Sequence, residues 1–162
     1  MGRRISWVLV VLWMALIFYF SSQVATESNN LSTGLTIIFK NIINNIFSGF
    51  DFSTEALNHF FRKVAHFSIY FILGILLKNA LRYENFSFIK SNVYSIMAGV
   101  LYAISDEFHQ SFVPNRGPQV SDIMIDSIGV VFGVLLMSYI IRRNRKSIAS
   151  KTIANIKDRL QL

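Results

Sequence analysis

Four stretches of this chain are apolar over about the length of a bilayer crossing, and few soluble folds tolerate that. They run over residues 5–22, 64–81, 93–113 and 120–141 of 162. A spanning helix needs roughly 17–25 mostly apolar residues, and each stretch falls in or near that range. Charge is correspondingly scarce. Only 15% of residues are charged and 52% are hydrophobic, against about 25% charged in a typical soluble domain. The expected fold is all-α: a four-transmembrane-helix bundle forming a single domain over 1–162. Arg3 and Arg4 ahead of the first stretch resemble the start of a secretory signal. The apolar run is longer than a signal core, however, and Ser21–Glu27 offers no good small-x-small cleavage site. Two prolines and eight glycines exclude collagen and low-complexity disorder, and the lack of cysteine excludes disulfides, thiolate metal sites and cysteine catalysis.

The charges that do occur are segregated. With the N-terminus, the loop after the second stretch and the C-terminal tail on one side, that side holds twelve Lys and Arg against Glu84 and Asp158. The opposite side holds Lys40, Arg62, Lys63 and Arg116 against seven acids. Lys and Arg concentrate in cytoplasmic loops, so the expected location is the cell membrane, multi-pass, with both termini cytoplasmic. The net charge of +7 is then an orientation signal and a lipid-headgroup contact, and no nucleic-acid partner is expected.

Two further segments are amphipathic. Leu31, Leu35, Ile38, Ile42 and Ile46 recur at helical spacing with Lys40 and several asparagines between them. Residues 31–47 are expected to form an outer amphipathic helix on the leaflet or over the bundle mouth. Residues 147–160 repeat the pattern with Ile148, Thr152, Ile156 and Leu160 among basic residues. They are expected to form a basic C-terminal surface helix on the inner side.

Ionisable groups inside a span cost roughly 2.5–3.5 kcal/mol each on insertion scales, so they need pairing, water or a task. His66, Asp106 and Asp126 lie 13–15 residues from the inner ends of their stretches. At 1.5 Å per residue all three sit about 20–22 Å above the inner boundary, at one level in the outer third of the bilayer. Arg62, Lys63, Gln110 and Asp122 follow one turn further out, and the loop 114–119 caps them with Arg116. Spacings of three and four residues align Lys63, His66 and Tyr70 on one helix and Tyr102, Asp106, His109 and Gln110 on another. Asp122, Asp126, Gly129 and Gly133 share a third face, where the two glycines allow close helix approach.

These residues give the sequence a resemblance to the VanZ-like membrane proteins, a family first known from a glycopeptide-resistance cluster and linked to teicoplanin resistance. The matching pieces begin with Trp13 through Ser21-Ser22-Gln23, then Arg62-Lys63-x-x-His66-Phe67-x-x-Tyr70. Next comes Asp106-Glu107-x-His109-Gln110-x-Phe112-x-Pro114-x-Arg116, followed by Asp122-x-x-x-Asp126-x-x-Gly129-x-x-x-Gly133. The resemblance runs over about residues 7–137 and implies a small multi-span protein of the bacterial cell envelope. It implies a phenotype without a mechanism.

The residues leave several chemistries open. His66, Asp106, Glu107, His109, Asp122 and Asp126 have the equipment of general acid–base catalysis. Arg62, Lys63 and Arg116, with Tyr70 and Gln110 beside them, suit an anionic group. The expected partner is an amphiphile: a phospholipid, a lipid-linked cell-wall precursor, or the glycopeptide antibiotic itself. The pocket would either act on it or only bind it, so catalysis is left open, and no spacing marks Ser105 or Ser121 as a nucleophile. The cluster would alternatively be a self-satisfied structural network. No cofactor is expected. Asp106, His109, Asp122, Asp126 and His66 could ligate a divalent metal, but the neighbouring cations compete for the same carboxylates.

Overall fold

The computed structural model describes residues 2–23, 33, 34, 36–38, 40, 53–114, 117 and 119–159. Every extended element among them is a helix: α1 (Arg3–Ser21), α2 (Thr54–Leu81), α3 (Phe88–Gln110) and α4 (Val120–Arg159). Local chemistry sets the starts. Ser53 caps α2 by accepting from the Ala56 amide, and Glu55 in the first turn complements the helix dipole. Ser87 caps α3 by accepting from the Lys90 amide at 3.3 Å. α3 stops at Gln110 because Pro114 supplies no N–H and excludes a helical conformation just before it. The Phe112 and Val113 amides close the last turn onto the His109 and Gln110 carbonyls.

The helices run alternately up and down. Arg3 and Ser6 at the start of α1 meet Glu84 just beyond α2 and Asn79 at its end, with Arg3 forked onto Glu84 at 2.7 and 3.0 Å. Trp13 donates to the Ile69 carbonyl at 2.9 Å, and Tyr102 of α3 to the Met14 carbonyl at 2.7 Å. Ser138 far along α4 reaches Asn92 near the start of α3. The start of α1, the 82–87 connection and residue 142 of α4 therefore share one end of the bundle.

Burial is inverted relative to a soluble protein. The core holds Val10, Ile17, Tyr70, Leu73, Leu77, Val130 and Val134, together with fully buried Lys78, Asp122 and Asp126. Ile, Leu, Phe and Met side chains stand exposed along the outside of all four helices. α1, α2 and the Val120–Ile153 part of α4 are long and apolar enough to cross a membrane. α3 has 23 residues, about 35 Å of helix, but is more polar. Its polarity points inward: Ser91, Ser95, Asp106, Glu107 and Gln110 are buried, whereas Val93, Met97, Leu101, Ile104 and Phe108 face out.

α2 and α4 form the most extensive helix pair, and glycines explain how closely they approach. A Cβ on Gly133 would lie 2.1 Å from the Phe71 carbonyl oxygen, and one on Gly129 2.5 Å from that of Phe67. From the other side, a Cβ on Gly74 would lie 2.4 Å from the Val130 oxygen. The backbones touch, as small-residue helix interfaces in lipid do.

Element bounds differ from the sequence reading in three places. α2 begins at Thr54 rather than near 64, because Leu57, Phe60 and Phe61 extend its apolar pattern back to the Ser53 cap. α3 begins at Phe88 rather than 93. The apolar stretch 120–141 and the tail 147–160 are not separate helices through Arg159: α4 runs across residues 142–146 without a break. Those residues include no glycine or proline, and Arg and Lys are good helix formers. Of the amphipathic segment 31–47, residues 33, 34, 36–38 and 40 are described and helical. Thr33 and Thr36 bond Asn58, and Lys40 bonds Thr54 at 3.0 Å, so this piece rests on the first turns of α2. The remainder of 31–47 lies outside the described residues.

Candidate functional site

At the end of the bundle where α2 and α4 begin and α3 finishes, a cluster of polar residues meets. Lys63 donates to Asp122 Oδ1, to Ser121 Oγ at 3.1 Å and to Gln119 Oε1 at 3.3 Å. Arg62 stands further off, with Nη2 3.8 Å from Asp122 Oδ2. One turn deeper, His66 Nδ1 lies 3.3 Å from Asp126 Oδ1. Deeper again, the Tyr70 hydroxyl donates to Asp106 Oδ2 at 3.0 Å, and Gln110 Nε2 donates to the same oxygen at 3.3 Å. Glu107 Oε1 accepts from the Gln119 amide, tying the end of α3 to the residue that precedes α4.

The periodicity that aligned Lys63, His66 and Tyr70 thus builds a ladder on α2. Each rung meets a carboxylate: Asp122 and Asp126 on α4, then Asp106 on α3. Asp106 pairs with Tyr70 and Gln110 rather than with His66. His109 departs from the group: its ring lies 4.4 Å from that of Phe18 on α1, tilted by 36°. Ser105 is exposed and bonds back to the Tyr102 carbonyl of its own helix. Arg116 lies outside the described residues. Among the described residues, no group of three or more His, Asp or Glu is placed to hold a metal ion.

The ladder is incompletely satisfied. Among the described residues, Asp106 Oδ1, Glu107 Oε2 and His109 Nδ1 are buried without a hydrogen-bond partner. Among the described residues, Asp126 Oδ1 and Asp122 Oδ2 have the His66 and Arg62 neighbours given above, neither in hydrogen-bonding geometry. The two described cations are both drawn to Asp122. Among the described residues the groups left over are therefore mostly carboxylate oxygens, with the Arg62 Nε–H donor and His109 Nδ1 beside them.

Sequence reasoning missed Gln119, which serves Glu107 through its amide and Lys63 through its side chain. Backbone contacts of this kind carry no sequence signal. It also missed a second polar layer at the opposite end. There Lys78 is 1% exposed and donates to Ser91 Oγ at 2.8 Å and the Phe88 carbonyl at 3.5 Å. The interruptions Lys78 and Asn79 in the second apolar stretch were its only trace.

An apolar exterior around a polar interior, on helices of spanning length, defines a helical protein of membrane-spanning character. The family model of VanZ/LLP1 matches residues 6–142, and the chain belongs to that family. No curated protein and no solved structure matches it.

Proposed function

We propose that the chain crosses the membrane four times with both termini cytoplasmic. On this reading the ladder forms an extracytoplasmic pocket for the headgroup of an anionic lipid or lipid-linked cell-wall precursor. One observation carries it: buried oxygens of Asp106 and Glu107 have no donor among the described residues. An unsatisfied buried group costs about 1–3 kcal/mol, and more when charged, so a purely structural network is a poor account of them. Acceptors of this kind suit the hydroxyl or amine donors of a sugar or polar headgroup. Arg62 and Lys63, only part-buried at the rim, suit the phosphate of the same molecule. The inward polarity of α3 supports the fourth span, since its outer face is as apolar as that of its neighbours. The glycopeptide-resistance link carried by the resemblance belongs to this proposal, as capture of a precursor that the antibiotic would otherwise bind.

Asp106→Asn is the discriminating variant. The amide oxygen of Asn still accepts from Tyr70 and Gln110, so the protein should accumulate normally in the membrane. Its NH2 replaces the free Oδ1 with a donor, the wrong polarity for the proposed headgroup. Teicoplanin protection in cells carrying this variant should fall to the level of cells lacking the protein. Full protection at normal abundance would remove Asp106 from the function. Loss of abundance would favour the structural network instead.

A further inference from the structure

At the far end of the bundle Lys78, Arg142 and Arg145 concentrate positive charge with no counterion among the described residues. Lys78 is buried, and both of its oxygen acceptors, Ser91 Oγ and the Phe88 carbonyl, are neutral. An ammonium has three N–H donors, so one is left without an oxygen acceptor among the described residues. Its Nζ also lies 4.4 Å from the centre of the Phe88 ring, while the Arg142 guanidinium sits 4.2 Å from the same ring. Arg142 and Arg145 both belong to α4. They are three residues apart on α4, hence neighbours on one face, and both are exposed. α3 begins at Phe88, so the positive end of its dipole adds to the same spot. Among the described residues, no carboxylate lies within ion-pairing distance of any of the three cations; Glu84 nearby is held by Arg3 and Trp7.

Burying a cation beside two others, with no acid, is costly unless an anion joins them. We propose that this end of the bundle binds a phosphate group, gripped by Arg142 and Arg145, with Lys78 behind them and Phe88 as the shared wall. Phosphate is the anion that suits the position. α4 turns from apolar to basic at Arg142, where a span meets the lipid phosphates, and guanidinium forks match phosphate oxygens in pairs. The phosphate belongs either to an anionic lipid or to a soluble ion. This site is separate from the carboxylate ladder and does not depend on what the ladder binds.

The test uses the full chain in nanodiscs of phosphatidylglycerol or phosphatidylcholine, with lipid retention read by native mass spectrometry after delipidation. Arg142→Gln with Arg145→Gln removes the grip. Arg143→Gln with Lys151→Gln removes the same charge from exposed positions elsewhere on the helix. The native chain should retain phosphatidylglycerol over phosphatidylcholine. The first pair should weaken that retention about 30-fold, two surface cations at roughly 1 kcal/mol each. The second pair should change it less than about twofold. Displacement of the lipid by millimolar inorganic phosphate, or phosphate binding in its place, assigns the site to the soluble ion. Lipid retention that phosphate leaves unchanged assigns it to the headgroup. Equal losses in the two variants would reduce the effect to overall charge and overturn the proposal. So would the absence of both lipid preference and phosphate binding.

Discussion

Asp122 is fully buried and has two cationic neighbours of unequal quality. Lys63 bonds it directly, whereas Arg62 approaches no closer than 3.8 Å. Removing one partner of a buried pair leaves an uncompensated charge and costs about 3–5 kcal/mol, while replacing both by apolar groups is often neutral. Lys63→Met should therefore lower thermal stability sharply in detergent. Lys63→Met combined with Asp122→Leu should recover most of the loss, although Arg62 then also lacks its acid. Melting of the purified variants checks both. A double variant no more stable than the single would mean that Lys63 acts through Gln119 and Ser121 rather than Asp122. At this scale the sequence identified the participants but not the pairings. Lys63, His66 and Tyr70 were aligned by their spacing. That their partners are Asp122, Asp126 and Asp106 depends on the register between helices, which no single-helix pattern contains. His109 shared the spacing of Asp106 yet turned to Phe18, because the α1–α3 contact decides which side of α3 faces which neighbour.

For the helices, the pair α2 and α4 is set by glycine rather than by large side chains. A methyl group on Gly133 would overlap backbone atoms of Phe71, which cannot move without shifting the helix. Overpacking of this kind typically costs 1–3 kcal/mol. Gly133→Ala should therefore reduce thermal stability by that order. It should also loosen the ladder, because the same helix pair carries His66 and Asp126. Gly117→Ala has open space around its Cβ and should leave stability unchanged. Comparable melting temperatures for the two variants would count against backbone contact at Gly133. The four apolar stretches and the glycine face were legible because a helix repeats its chemistry every three to four residues. Helix ends were less legible. The start of α2 lies at a serine cap well ahead of the dense apolar run, and the sparser Leu57, Phe60 and Phe61 that connect the two are interrupted by polar residues. The run through residues 142–146 was hidden by a change in composition that is not a change in backbone conformation. Lys78 read as an interruption because a burial site built by Ser91 and Phe88 lies on another element.

The whole molecule is polarised along its length. One end carries Arg3, Lys78, Arg142 and Arg145, and the other carries the carboxylate ladder. α4, with 40 residues and about 60 Å of helix, is twice as long as the roughly 30 Å hydrocarbon core. If the apolar part up to Ile141 lies in the core, the remainder projects beyond it on the basic side. The proposed topology makes that side cytoplasmic, and the lack of any cysteine makes it directly testable. Single cysteines at Ser53, Asn85 and Ser150 would be the only thiols in their chains, and each lies beside or beyond an apolar stretch. A membrane-impermeant maleimide added to intact cells should label Ser53→Cys. It should spare Asn85→Cys and Ser150→Cys until the membrane is opened. Labelling of all three from outside would mean that the cysteines near the basic end are also accessible there, which the alternating helix directions do not allow in a four-span chain. Labelling of Asn85→Cys and Ser150→Cys with protection of Ser53→Cys would invert the molecule. That result would place the ladder on the cytoplasmic side and remove the extracytoplasmic precursor as its ligand, while leaving the polar architecture of the bundle as it stands.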